Sequence, residues 1–91
     1  MSLRFEWDDA KNQSNILNHH ISFLTASEVF YDDNRIELYD GRHDEDRWIT
    51  IGSIGMIVYV VYTVRENDVI RIISAREAIK SEKEAYYDNN L

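Results

Sequence analysis

The chain contains no cysteine and no proline, has only three glycines, and sets ten basic side chains against seventeen acidic ones, for a formal charge of −7. The absence of cysteine removes disulfides, thiolate metal sites and cysteine nucleophiles, which fits a reducing compartment; the cytoplasm is the expected location. Gly41, Gly52 and Gly55 fall in the middle third, where turns between strands belong, and form neither a glycine-rich phosphate loop nor a Gly-x-Ser-x-Gly elbow. The longest apolar run, Met56 to Val64, is about nine residues where a membrane-spanning helix needs about 20. The opening residues lack the apolar stretch of a signal peptide, so no membrane association is expected. The acidic total opposes general coating of nucleic acid by this chain alone, and direct DNA binding with it.

What remains is enough for one core. A chain of 91 residues hides only about 60–65% of its unfolded surface, and a 44% hydrophobic fraction supports a single domain over 1–91. Leu3 to Trp7 alternates with period two and predicts a short strand; Asp8-Asp9 offers a cap for a helix running to about His19. Ser22 offers a second cap, and Phe23, Ala26, Val29 and Phe30 give a second amphipathic helix ended by Asp32-Asp33-Asn34. The period then changes to two. Strands are predicted over Arg35 to Tyr39, Arg47 to Ile51, Met56 to Val64 and Val69 to Ser74, with Gly52-Ser53-Ile54-Gly55 as a hairpin loop and Glu66-Asn67-Asp68 as a turn. Met56 to Val64, apolar on both sides, reads as central in the sheet. A helix is predicted from Ala75 to about Tyr87. The fold class is α+β: an N-terminal strand, two helices, a four-stranded antiparallel meander and a C-terminal helix.

Charge is unevenly placed along this plan. Residues 1–33 hold Arg4 and Lys11 against six acids, whereas residues 47–76 hold Arg47, Arg65, Arg71 and Arg76 against only Glu66 and Asp68. On the predicted last helix Arg76, Lys80, Lys83 and Tyr87 fall together as a basic stripe closed by an aromatic, a pattern suited to phosphate contact and base stacking. The bland counterpart is a solvated face whose cations pair with Glu77, Glu82 and Glu84. Arg71, flanked by β-branched residues in Val-Ile-Arg-Ile-Ile, must face an edge, a cleft or a carboxylate such as Glu45 or Glu84, because burying it unpaired is costly. His19 and His20 are adjacent and point to different sides of a helix, so with His43 they form no metal-ligand spacing. His19 has the chemistry of a general base, and equally that of a helix-closing donor.

Several segments together resemble the BrnT family of bacterial type II toxin–antitoxin toxins. Phe5-Glu6-Trp7-Asp8 with Lys11 and Asn15 resembles the family's opening, followed by His19, Ile21-Ser22-Phe23, Ala26, Val29-Phe30 and Asp32. Asp40, Arg42-His43, Arg47, Gly52, Val61-Tyr62-Thr63 and Arg65 continue it, and Arg71-Ile72-Ile73-Ser74-Ala75-Arg76 with Ala78, Glu84 and Tyr86 is the densest block.

The resemblance implies a RelE-like ribonuclease fold, a toxin that cleaves RNA and blocks translation, and a BrnA-type DNA-binding antitoxin as partner in a mixed assembly. It implies cleavage without metal or other cofactor, by attack of a 2′-OH on the adjacent phosphodiester. In that chemistry Arg65, Arg71 and Arg76 are the expected phosphate and transition-state contacts, His19 the base, with a carboxylate such as Glu45 in competition, and Tyr86 the acid or stacking group. Arg47, Lys80, Lys83 and Tyr87 are expected to hold RNA. One departure stands out: where the family commonly reads Lys-His-Gly, this chain reads Asn18-His19-His20, which removes a basic residue and asks Asn18 or His20 to take a left-handed turn. The implied activity is correspondingly weak. The competing class is a silent binding module that only holds an antitoxin.

Overall fold

The computed structural model describes residues 2–90. Strand β1 (Phe5–Glu6) leads into α1 (Asp9–His19) and α2 (Phe23–Ser27), which tightens into a 3₁₀ turn over Glu28–Tyr31. Strands β2 (Ile36–Asp40), β3 (Arg47–Ser53), β4 (Ile57–Val64) and β5 (Ile70–Glu77) follow, and α3 (Lys80–Asn89) closes the described chain. The caps fall where the sequence offers them: Asp8 accepts from the Lys11 N–H at 3.0 Å, and Ser22 accepts from the Thr25 N–H at 3.0 Å. Of Asn18 and His20 it is His20 that takes the expected left-handed conformation (φ 61°), and its N–H closes α1 on the Ile16 carbonyl.

The strands form one sheet in the order β1-β5-β4-β3-β2. Antiparallel pairing links β2 to β3, β3 to β4 and β4 to β5, while β1 lies parallel beside β5, with Phe5 opposite Ile70 and Glu6 opposite Arg71. The sheet is therefore five-stranded and mixed, larger than the four-stranded antiparallel one expected. The opening strand joins it as an edge, tied by the Ile70 N–H to the Arg4 carbonyl at 2.9 Å.

Central β4 is covered on both faces, as its apolar run requires. Phe23, Ala26, Val29 and Phe30 pack on Val58, Val60, Tyr62, Ile72 and Ala75. The alternate residues face the other way, where Ile57 joins Ile49, Ile51, Ala78 and Tyr86 of α3. Each fully buried large apolar side chain contributes about 1.5–3 kcal/mol. At Gly52 a Cβ would lie 2.7 Å from Val29, so the glycine belongs to β3 itself and lets the 3₁₀ turn approach the strand. The connection to β4 is shorter than the Gly52–Gly55 loop expected, and Gly55 turns it with φ 102°.

The largest departure is at the end of the sheet. Helix was expected from Ala75, but Ala75, Arg76 and Glu77 pair with Val60, Tyr59 and Val58, and α3 begins only at Lys80. The helix-favouring residues yield to the ladder because β4 is eight residues long and its start would otherwise be left unpaired on the side away from β3.

Candidate active site

α3 covers the sheet face at the Ile57 end of β4, and the Thr63 end of the same strand runs into a cleft of about 510 Å³. Glu6 from β1, Thr63 and Val64 from β4, Arg65 and Glu66 after it, and Glu45 and Asp46 from the loop before β3 line this cleft. The loop over residues 41–46 is braced from both ends. Arg42 forks onto Asp40 with two bonds of 2.8 Å, His43 Nε2 stands 3.5 Å from the same carboxylate, and Tyr39 donates to Asp46 at 2.7 Å. The bonds from Arg42 hold the Asp40 carboxyl well below the usual carboxylate range.

The sheet register sets two further arginines beside the lining residues Glu6 and Thr63. Arg71 pairs in register with Glu6 on one side and Thr63 on the other, and its Nη1 donates to Glu6 Oε2 at 2.6 Å. Arg47 precedes Trp48, the partner of Tyr62, so it arrives beside Thr63 from the opposite strand. Its Nε stands 3.5 Å from Glu45 Oε1. Two arginines thus each face a carboxylate, with Thr63 between them and Arg65 exposed at the rim. Such a set can stabilise a negatively charged reaction centre and accept a proton beside it. Among the described residues no three His, Asp or Glu side chains converge as metal ligands.

The other expected site residues lie elsewhere. Arg76 is on β5 and not on the helix: Glu82 takes its guanidinium through two bonds of 2.8 and 2.9 Å, and it stacks over the Tyr59 ring at 4.0 Å. That engagement holds Glu82 below the usual carboxylate range, and Glu82 also accepts from the Ile79 N–H at the start of α3, so Arg76 anchors the helix. The basic stripe accordingly falls apart. Lys83 pairs with Glu77 at 2.8 Å and Lys80 lies 4.0 Å from Glu84, as in the bland reading, leaving Tyr87 exposed against Tyr86. His19 is exposed at the end of α1 and does not line the cleft. The Arg71 partner is Glu6, neither Glu45 nor Glu84.

Tyr86 is not available to stack on a base. It is 7% exposed, and its hydroxyl donates to Asp32 Oδ2 at 2.7 Å, which pushes its pKa up to about 12. Burial works against the Asp32 carboxylate, but bonds from Tyr86, Ser53 N–H and Asn34 N–H, with Arg35 nearby, outweigh it and hold its pKa below the ordinary value. A folded-state pKa below the unfolded one adds stability above the unfolded value, lost as pH falls through the folded one. Denaturant midpoints measured from pH 5 downward are expected to drop more steeply in the parent than in Asp32→Asn. Tyr86→Phe is expected to cost about 1–2 kcal/mol at neutral pH.

The family described as ribonuclease toxin, BrnT, of type II toxin–antitoxin system matches residues 7–82. The chain belongs to the BrnT family. Among solved structures, the Brucella abortus ribonuclease toxin BrnT matches with a TM-score of 0.67 and 23% identity, covering 87% of this chain and all of that one. That likeness carries the fold. No functionally curated protein matches. The BrnT match includes Arg47, Thr63, Arg65, Arg71 and Arg76 but stops short of Glu6 on one side and Tyr86 on the other.

Two cleft residues were given no site role from the sequence. Glu6 was legible as one polar position of an alternating strand and as part of the matched opening segment, and its place opposite Arg71 depends on the parallel pairing of β1. Thr63 sits in a run read as almost wholly apolar and stood only within the matched Val61-Tyr62-Thr63 segment, yet it is that run's only aliphatic hydroxyl, and this was the available signal.

Proposed function

We propose that this BrnT-family chain is an endoribonuclease that cuts RNA without a metal ion, on a fold of RelE type, and thereby inhibits translation. A BrnA-type DNA-binding antitoxin neutralises it, and the acidic chain favours a basic surface on that partner. One observation carries the catalytic reading: Arg71 and Arg47 flank the cleft residue Thr63, and each faces a carboxylate that lines the cleft, Glu6 and Glu45. The scissile phosphate takes the arginines, which releases a carboxylate to accept the 2′-OH proton. The 2′-oxygen then bonds to phosphorus, the P–O5′ bond breaks, and the departing oxygen takes a proton from water. The products are a 2′,3′-cyclic phosphate and a 5′-OH end. The arginines stabilise the charge that gathers on the phosphorane.

The proton-accepting role passes from His19 to the cleft carboxylates because they adjoin the arginines. Arg65 keeps its expected role at the rim, while Arg76 and Tyr86 hold α3 and the 3₁₀ segment at the other end of the sheet. Lys80, Lys83 and Tyr87 are left as a peripheral RNA contact. The silent-module reading draws on the same pairs, since both arginines already hold internal anions. Purified protein incubated with single-stranded RNA separates the two. Cleavage at the same rate with and without EDTA is expected; intact RNA at excess protein, with antitoxin still bound, supports the module.

A further inference from the structure

Within the described residues two buried side-chain atoms have no hydrogen-bond partner, Arg47 Nε and Thr63 Oγ1. They are not scattered. Thr63, 4% exposed, lines the cleft, and Arg47 stands next to Thr63 on the neighbouring strand through the register of Trp48 with Tyr62. A buried polar atom without a partner is destabilising, and native structures rarely keep one without a reason. Two of them at adjoining strand positions point to a ligand that satisfies both.

The chemistry of the pair specifies that ligand. Arg47 Nε–H only donates, the Thr63 hydroxyl can donate, and Arg71, in register with Thr63, brings further N–H donors. The missing partner is therefore rich in acceptor oxygens and negatively charged. The flanking carboxylates are consistent with this, because each already sits against an arginine: Glu6 on Arg71, and Glu45 at 3.5 Å from Arg47 without completing a hydrogen bond. We infer that Thr63 Oγ1, Arg47 Nε and Arg71 form a phosphodiester-binding subsite next to the cleft at Thr63, which Glu6 and Glu45 occupy from the side until an RNA phosphate displaces them.

This subsite rests on the ribonuclease reading for its choice of RNA as the source of the phosphate, and it adds Thr63 as a substrate-binding residue. It also explains how an acidic protein selects one phosphate. Glu45, Asp46 and Glu66 around the cleft repel extended polyanions, while the donors at and beside Thr63 reward a single group that reaches them.

The test measures binding apart from cleavage. Inorganic phosphate, and separately a 2′-O-methylated RNA oligonucleotide that cannot undergo 2′-OH attack, are titrated into the full chain at constant ionic strength. The Thr63 methyl and Arg47 Nε–H resonances are followed by NMR. Saturable shifts at both groups are expected in the parent. Thr63→Val, which keeps the shape and removes the hydroxyl, is expected to weaken both ligands at least tenfold while raising the thermal midpoint of the free protein. Thr63→Ser should retain binding, and Arg47→Lys, which keeps the charge and removes Nε–H, should lose it. Parental affinity in both Thr63→Val and Arg47→Lys overturns the subsite, as does a parent whose two resonances ignore both ligands. The two readings separate cleanly: binding at these groups by a parent that leaves RNA intact keeps the subsite and removes the ribonuclease, whereas RNA cut at parental rate by a Thr63→Val protein of parental affinity does the reverse.

Discussion

Arg71→Ala is expected to slow RNA cleavage by a factor of about 10²–10³, the loss of about 2.7–4 kcal/mol that follows removal of one well-placed donor to a developing oxyanion. Growth arrest on expression should disappear with it. The same substitution is expected to leave the fold and antitoxin capture intact, because the side chain is a third exposed and Glu6, its only ion-pair partner among the described residues, keeps access to water when left alone. That separates Arg71 from Arg76, whose bidentate contact with Glu82 and stacking on Tyr59 hold α3 to the sheet. Arg76→Ala should therefore lower stability together with activity, while Arg71→Ala lowers activity alone. Single-turnover cleavage, circular dichroism and antitoxin pull-down on the two variants distinguish these profiles. Parental cleavage by Arg71→Ala would move the chemistry out of the cleft.

The second large effect is structural and lies at Asn15. This residue is buried, at 6% exposure, and its side chain makes three hydrogen bonds. The Nδ2 group donates to the Ile21 carbonyl at 2.8 Å and to the Ala75 carbonyl at 2.8 Å, while Oδ1 accepts from the Ala75 N–H at 3.1 Å. β1 is only two residues long and ends opposite Arg71, so the edge of β5 at Ala75 has no neighbouring strand. Asn15 supplies the missing ladder partner from a helix, and the same amide fixes the turn into α2. Asn15→Leu removes all three bonds and leaves interior backbone groups unpaired, at a cost of about 3–5 kcal/mol. For a chain of this size that lowers the thermal midpoint by about 15 °C or more. A midpoint within a few degrees of the parent would show that the β5 edge does not depend on Asn15.

These two residues also mark how far the sequence could be read. Periodicity located α1, the start of α2 and the central place of β4, because those elements follow hydrophobic patterns that burial enforces. Arg71 was legible as a charge that needed a partner, but the partner was not, since parallel pairing between β1 and β5 links residues 65 positions apart and leaves no local trace. The start of α3 was misplaced for a related reason. Ala75 to Ala78 favours helix locally, and only the length of β4 recruits Ala75, Arg76 and Glu77 into the sheet. Once that boundary moves, the basic stripe dissolves and the arginines sort themselves: Arg47 and Arg71 to either side of the cleft residue Thr63, Arg65 to the rim, Arg76 to the helix anchor. Tyr86 shows the same limit, because its bond to Asp32 joins residues 54 positions apart.

The most direct measurement of the central claim is a mass spectrum of the RNA fragments released by the purified protein in EDTA. The cleft mechanism predicts 2′,3′-cyclic phosphate and 5′-OH ends, with no cut at any position carrying a 2′-O-methyl group. Fragments ending in 3′-OH and 5′-phosphate, or cleavage of the 2′-O-methylated positions, would contradict it.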